Sequence, residues 1–227
     1  MKSADSILAE LRRLADPGRV EGMAKFAVGG KNTLGVSMPA IRGVARGVKR
    51  NHALAKALWA SEIHEARILA SMVAEPSKLT AREMNQWVKD FDSWDVCDQV
   101  CLNLFCETPR AFARAIAWSS ARREFEKRAG FALMACLAVH AKKESDENFV
   151  PFLAAIEREA TDSRNFVRKA VNWALRQIGK RNKKLNAKAI VVARVLQKSE
   201  SSAARWVAND ALRELKSDKV KTKLKNS

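Results

Sequence analysis

Apolar side chains recur at helical spacing along almost the whole chain, and the breaks between these stretches are short. Cys97, Val100, Cys101 and Leu104, for example, follow the i, i+3, i+4, i+7 pattern of a helix with one buried face. Strand signals are nearly absent, because there is no Tyr and the β-branched run at 190–192 lies inside a helical pattern. The spacing predicts helices near 4–15, 19–29, 37–50, 51–60, 63–74, 80–91, 93–106, 108–118, 122–141, 147–160, 164–180, 184–197 and 200–215. We therefore expect an all-α fold of about 12–14 helices.

From about residue 51 the predicted helices pair up with a repeat of roughly 40 residues. Short linkers make successive helices pack antiparallel, which is typical of a HEAT-like helical-repeat solenoid with a concave face. A compact irregular bundle is the alternative. We expect one domain over residues 1–215 and, because residues 216–227 are rich in Lys, a disordered tail there.

The charge is strongly positive and unevenly placed. The 227 residues carry a net charge of +17 with a pI near 10.1. Residues 161–227 hold 18 Lys and Arg against 5 Asp and Glu, whereas residues 1–160 hold 24 against 20. Such a field attracts polyanions, most often nucleic acid, and the concave face is expected to be basic. The alternative is that the charge serves solubility alone.

No membrane partner is expected. The N-terminus shows no signal-peptide pattern, and the longest near-apolar run, residues 130–141, is too short to span a bilayer. No basic amphipathic helix stands apart from the rest of the chain. We expect a cytoplasmic monomer that associates with the nucleoid when it acts.

Cysteine and histidine spacing argues against a metal site. No CxxC occurs, and the three histidines, His52, His64 and His140, are scattered. We interpret the four cysteines as reduced thiols, largely in the core: Cys97, Cys101, Cys106 and Cys136. No metal and no cofactor is expected.

An aromatic ring and a carboxylate stand four residues apart at the start of one predicted helix. Trp94 and Asp98 share a face, one turn apart, on the flank of the apolar stripe. Ser93 or Asp92 is placed to cap the first turn. The core does not need this carboxylate, and burying it unpaired would be costly. An indole beside an acid suits the holding of a cation, or of a carbon that is becoming one.

Four segments together resemble the AlkD family of bacterial DNA alkylation repair glycosylases. They are Ser93-Trp94-Asp95-Val96-Cys97-Asp98, Phe125 to Leu133, Asn165 to Arg176, and Gly35-Val36-Ser37-Met38-Pro39 with the following Arg42. Their order and spacing match over about residues 20–210. The resemblance implies a HEAT-like stack that grips duplex DNA and excises cationic N-alkylated purines, such as 3-methyladenine and 7-methylguanine, in base-excision repair.

The resemblance also implies a role for individual residues. Trp94, Asp98 and Trp173 match the catalytic aromatic–acid–aromatic set. Arg128 matches a phosphate-contacting arginine and Arg176 a second phosphate contact, and Ser37 lies where a further donor to phosphate is expected. The partner implied is double-stranded DNA with alkylated bases.

The chemistry of these residue types agrees with that assignment. Cleaving an N-glycosidic bond leaves a sugar with oxocarbenium character. An alkylated purine is already cationic, so it can leave without a general acid. Asp98 can support the sugar cation and align a water, while Trp94 and Trp173 pack against the deoxyribose. No lysine nucleophile is required, so we expect hydrolysis without strand cleavage.

Other interpretations remain open. Trp94 and Trp173 are alternatively packing residues, and Asp98 is alternatively the partner of an arginine such as Arg128. Met38 and the ring of Phe26, which lacks a hydroxyl, depart from the family pattern near the DNA. A non-catalytic binder of damaged or branched DNA and a protein-interaction HEAT scaffold are therefore alternative functions.

Overall fold

Short polar side chains start most of the helices. A computed structural model describes residues 2–30 and 32–225. The side chains of Ser3, Asp16, Ser37, Asn51, Thr80, Asn182 and Ser201 each accept a hydrogen bond from a first-turn amide. Thr80 and Glu83 also form a reciprocal capping box. These caps satisfy amides that have no partner within the helix, so the helix starts follow from local sequence.

The all-α prediction is confirmed, since no strand occurs within the described residues. Each of the thirteen predicted spans contains a helix. Two short 3-10 helices, Phe105–Glu107 and Asp146–Phe149, accompany them. The α-helices of the described residues are α1 (Ala4–Arg13), α2 (Pro17–Ala24), α3 (Met38–Arg46), α4 (His52–Ala60), α5 (His64–Val73), α6 (Ala81–Lys89), α7 (Trp94–Asn103), α8 (Ala111–Ser119), α9 (Glu124–His140), α10 (Val150–Glu159), α11 (Asn165–Gly179), α12 (Lys183–Gln197), α13 (Ser202–Leu215) and α14 (Asp218–Lys225).

Helix α2 ends earlier than its pattern predicts. Asp16 caps it, Pro17 occupies the first turn, and the helix stops at Ala24 instead of near residue 29. Ala27 and Gly29 then adopt left-handed backbone, with φ of 51° and 94°. A left-handed residue cannot continue a right-handed helix. Lys31, which the sequence places in the following break, lies outside the described residues.

The chain divides into two compact units, separated in sequence between Pro109 and Arg110. In the first, α5 is the central helix: it packs against α3, α4 and α7, and almost all of its residues are buried. The prediction of a single domain over 1–215 stays a prediction.

In the second unit, α9 is the central helix. It packs against α8 and α11, and residues 127–138 are buried on every side. At Gly130 the backbones approach closely: a Cβ there would lie 2.5 Å from Ser119 N and 2.9 Å from Ala115 O. Glycine is therefore required for α8 and α9 to pack as they do.

The Lys-rich tail differs from its prediction. Residues Asp218–Lys225 form α14 instead of a disordered segment, and Val220 and Leu224 are buried. These two apolar residues stand four apart on one helical face, which is enough to fasten the short helix to its unit. The expectation of disorder is thus corrected for 218–225, while 226 and 227 lie outside the described residues.

The cysteines are free thiols, as predicted. Cys97, Cys101 and Cys136 are buried, and Cys106 is partly exposed. Burial, helped by the neighbouring charge of Glu107, raises the pKa of Cys106 to about 11, so this thiol stays protonated at neutral pH. No helix of the described residues has the length and apolarity needed to cross a membrane.

Candidate active site

The start of α7 displays the aromatic–acid pair as the sequence predicts. Val96, Cys97, Val100 and Cys101 are buried, while Trp94 and Asp98 are partly exposed at the flank of that stripe. Ser93 occupies the N-cap with extended backbone, but its side chain makes no capping hydrogen bond. The pair therefore occupies adjacent turns on the partly exposed side of α7.

A hydrogen bond orients the indole of Trp94. Its Nε1 donates to the backbone carbonyl of Phe26 at 3.1 Å. This bond ties the first residue of α7 to the segment that follows α2. The ring of Phe26 is 75% exposed, so it adds a second aromatic surface in this part of the first unit.

A largely buried ion pair fixes the first turn of α7. His64 Nε2, at the start of α5, lies 2.8 Å from Asp95 Oδ2. Burial alone lowers the pKa of His64, but the hydrogen bond to Asp95 and its charge outweigh burial, and the pKa is raised. Burial likewise raises the pKa of Asp95, and the protonated imidazole outweighs it, so this pKa is lowered. Both shifts favour the charged pair.

A second buried carboxylate holds the segment before α3. Glu65, which is fully buried, accepts from the amides of Leu34, Gly35 and Val36, at 2.7 Å for Gly35. Gly35 has φ 79°, and a Cβ there would lie 2.2 Å from Asp16 O. This bend sets the position of Ser37.

Ser37, a candidate donor to phosphate, is the N-cap of α3. Its Oγ accepts from Ala40 N at 3.4 Å, and the side chain is partly exposed. A hydroxyl that accepts one bond still has its own proton to donate. The start of α3 therefore combines a hydroxyl with the amides of a helix N-terminus, which suits an anion.

In the second unit, Arg128 is more deeply placed than the sequence suggests. It lies on α9, is only 6% exposed, and its Nη1 donates to the carbonyl of Phe166 on α11 at 2.7 Å. Arginine side chains are mostly exposed in folded proteins, and they are rarely this buried without a partner. The Phe166 carbonyl holds the guanidinium in a defined orientation.

Trp173 and Arg176 lie one turn apart on α11, and both are partly exposed. Trp173 Nε1 lies 3.2 Å from the side-chain amide of Gln177. With the amide oxygen on the side of the indole, that oxygen accepts the indole N–H. Arg176 Nη1 contacts two carboxylates of α13, Glu214 at 2.9 Å and Asp210 at 3.4 Å. Its charge is thus partly compensated within the unit.

The structure brings the predicted residues together in two sets. Trp94 and Asp98 share α7 in the first unit. Trp173 and Arg176 share α11 in the second, and Arg128 joins them through its bond to that helix. Convergence of the two sets on one site stays a prediction. Among the described residues, no group of three or more His, Cys, Asp or Glu is placed to hold a metal ion.

Sequence reasoning missed the residues that support α7. They are His64, which is buried, and its partner Asp95, which is partly exposed. Buried Glu65, which holds the segment before α3, was missed as well. Asp95 does stand in the first turn of a predicted helix, where a carboxylate is favourable. Nothing in the pattern links it to His64, which lies 31 positions earlier.

The other tryptophans are mostly packing residues. Trp59 and Trp87 stack with ring centroids 4.1 Å apart, and Trp118 is also buried. Trp206 is exposed, with the guanidinium of Arg168 4.5 Å from its ring centroid. Trp59, Trp87 and Trp118 therefore serve packing, and Trp206 presents an aromatic surface to solvent.

Comparison with solved structures defines the class of fold. The chain is similar, with a TM-score of 0.77 and 19% identity, to a member of a family described as related to the HEAT-like repeat DNA glycosylases with affinity for branched DNA structures. The match covers 94% of this chain and 96% of that one. The fold is therefore that of the HEAT-like repeat proteins.

The family follows from the sequence itself. Residues 7–215 match the family model described as DNA alkylation repair enzyme, and the chain belongs to that family. The resemblance to alkylation repair glycosylases is thereby confirmed at the level of the family. No curated protein matches the sequence significantly.

Proposed function

We propose that this protein is a monofunctional DNA glycosylase that hydrolyses the N-glycosidic bond of cationic N-alkylated purines, such as 3-methyladenine and 7-methylguanine, in duplex DNA. The observation that carries the proposal is the Trp94–Asp98 pair. Its two members lie one turn apart, partly exposed, on a helix that belongs to a DNA alkylation repair family member. A core helix gains nothing from that pair, whereas a reaction with a cationic transition state does.

The proposed chemistry needs few groups. An alkylated purine carries its own positive charge, so it leaves as a neutral base without protonation. The deoxyribose then acquires oxocarbenium character, which the carboxylate of Asp98 stabilises while it orients the attacking water. Trp94 and Trp173 pack against the sugar, each contact contributing about 0.5–2 kcal/mol through cation–π attraction.

The cationic residues and Ser37 hold the backbone of the DNA in this proposal. Arg128, oriented by the Phe166 carbonyl, and Arg176 contact phosphates that flank the lesion. In the free protein, Asp210 and Glu214 of α13 hold the guanidinium of Arg176 through ion pairs. Such contacts fix the register of the DNA and carry no sequence information.

Release of free base tests the proposal. Purified protein is incubated with methylated duplex DNA, and released 7-methylguanine and 3-methyladenine are measured by chromatography. The proposal expects both bases to appear and the DNA strand to stay intact until alkali is added. Folded protein that binds the duplex and releases neither base would contradict it.

A second candidate is a non-catalytic binder of branched DNA. The relative of the same fold is described by its affinity for branched DNA structures. Arg128 and Arg176 also both have partners within the second unit. Their arrangement therefore does not require a catalytic role. This candidate predicts tight, salt-sensitive binding of a four-way junction and no base release.

A further inference from the structure

A basic cavity lies in the second unit, and its lining contains none of the predicted site residues. It has a volume of about 570 Å³ and opens at the C-terminal ends of α9 and α11. Its lining includes four cationic side chains, Lys142, Lys180, Arg181 and Lys223. One of these, Lys223, comes from the C-terminal helix that the sequence suggested would be disordered.

Helix α14 is what brings Lys223 to this cavity. Val220 and Leu224, four residues apart, are buried and fasten one face of the helix. Lys223 lies next to Leu224 and lines the cavity. Lys219 and Lys221 lie on the same helix, are exposed, and are not part of the lining. All three lysines are exposed, and of the three only Lys223 lines the cavity.

The acidic groups of the cavity already have partners. Asp146 Oδ1 accepts from Asn182 Nδ2 at 2.8 Å and lies 3.7 Å from Arg181 Nε. Glu144 accepts from Asn148 Nδ2 at 2.8 Å. Glu214, outside the lining, pairs with Lys180 at 2.6 Å. The four cations of the lining still outnumber these three carboxylates, so the cavity carries net positive charge.

The C-terminal end of a helix normally repels anions, because its unpaired carbonyls leave a partial negative charge there. Arg181 counters this effect. Its Nη2 donates to the carbonyls of Ala141 and Glu144, each at 2.8 Å, and its Nη1 donates to that of Ala138 at 3.3 Å. The guanidinium thus compensates carbonyls at the end of α9 and in the segment that follows it.

The cavity is joined to the candidate site along α11. Gln177 lines the cavity, and its side-chain oxygen accepts from Trp173 Nε1 at 3.2 Å. Trp173 and Lys180 stand two turns apart, roughly 10 Å along the helix axis. A phosphodiester chain that passes Trp173 can therefore reach this cavity within a few nucleotides.

We propose that this cavity binds the phosphodiester backbone of DNA, with Lys142 and Lys223 as the contacting cations and α14 as a DNA-binding element. The inference rests on the proposed function in assuming that Trp173 lies beside DNA. It extends that function by giving the C-terminal helix a binding role that the catalytic set does not require.

Two matched double variants test the inference. Lys142→Gln with Lys223→Gln removes two positive charges from the cavity, and Lys219→Gln with Lys221→Gln removes two from the exposed face of α14. Thermal midpoints show that both variants fold. Dissociation constants are then measured for an unmodified duplex over a series of salt concentrations.

The cavity variant is expected to bind DNA roughly ten-fold more weakly. The negative slope of log K against log salt should become less steep by about 1–2, since each phosphate contact contributes about 0.9 to its magnitude. The control variant should keep the wild-type slope. An equal loss in both variants, or a loss in neither, would overturn the inference.

Two further outcomes separate this inference from the glycosylase proposal. If the wild type releases no base but only the cavity variant loses affinity, the inference stands and the glycosylase proposal fails. A calorimetric titration with inorganic pyrophosphate tests a free anion as ligand. Pyrophosphate binding that the cavity variant abolishes, with DNA affinity unchanged, would overturn the inference in favour of a small-anion site.

Discussion

His64 and Asp95 form a largely buried ion pair, with 2.8 Å between Nε2 and Oδ2, that joins the start of α5 to the first turn of α7. Asp95 is the immediate neighbour of Trp94 and stands three residues before Asp98. The carboxylate is also favoured by its place at a helix N-terminus. The pair therefore fixes the part of α7 that presents the candidate catalytic residues.

The stability of the protein should depend on pH through this pair. The raised pKa of His64 contributes stability that is complete below its ordinary value of 6.5 and is lost as pH rises through the raised value. The lowered pKa of Asp95 contributes stability above its ordinary value of 3.8 that is lost as pH falls. The contribution of the pair should therefore be largest between those two values.

The variant His64→Gln tests this dependence. It leaves a largely buried carboxylate without its cation, which lowers the unfolding free energy by about 1–3 kcal/mol. Wild type and variant are compared by urea denaturation at about pH 5.5, where the pair is charged, and at about pH 9, above the ordinary pKa of His64. The difference in their unfolding free energies should be larger at the lower pH. A difference that is equal at both pH values would mean that the pair is not ionised as the structure indicates.

Trp94→Phe should reduce the rate of base release about ten-fold under single-turnover conditions. It removes the hydrogen bond to the Phe26 carbonyl and weakens the attraction of the ring for a cation, and about 1.4 kcal/mol of transition-state stabilisation corresponds to that factor. Chromatographic measurement of released 7-methylguanine gives the rate.

Trp59→Phe is the matched control for that change. Trp59 Nε1 donates to Asp90 Oδ2 at 2.9 Å, and its ring stacks on Trp87 in a buried position. The variant should lower stability and leave the release rate unchanged. Equal loss of rate in both variants would assign Trp94 a packing role.

Arg176→Ala should weaken the binding of duplex DNA by about ten-fold and reduce the salt slope by about 1, because one phosphate contact is lost. The fold should tolerate the change, since Glu214 keeps Lys180 at 2.6 Å. Arg213→Ala is the control: Arg213 pairs with the same Asp210 and is exposed on α13. If Arg213→Ala weakens binding as much, Arg176 contributes only to the general positive field.

Gly130→Ala should destabilise the fold by about 1–3 kcal/mol. The new methyl group would meet the backbone of α8 at Ser119 and Ala115, which cannot move aside as a side chain can. Gly43, an exposed position in the middle of α3, has only the tip of Arg46 within 4 Å, so Gly43→Ala should stabilise by about 0.5–1 kcal/mol. Thermal denaturation of the two variants should shift in opposite directions.

The helices were predictable because each carries its own periodicity and, in many cases, its own cap. The position of Trp94 and Asp98 at the edge of the apolar stripe was also predictable. A helix turns 100° per residue, which places both beside Cys97 and Val100. The end of α2 was not, because left-handed Ala27 leaves no mark in an apolar pattern.

Long-range partners account for the rest of what the sequence could not predict. The bond from His64 to Asp95 spans 31 positions, and the bond from Arg128 to the Phe166 carbonyl spans 38. Helix α14 was missed because its composition is that of a soluble tail, and only burial of Val220 and Leu224 makes it fold. Tertiary packing overrides composition at such places.

The central claim is that Asp98 acts on the transition state, and Asp98→Asn tests it most directly. The substitution keeps the shape of the side chain and removes its charge. Single-turnover release of 7-methylguanine and the dissociation constant for the same methylated duplex are measured side by side. We predict that the release rate falls by roughly 100-fold or more while the dissociation constant changes less than about three-fold, since a group that acts only in the transition state alters rate and not binding. Full release by the variant, or a loss of affinity that matches the loss of rate, would contradict the claim.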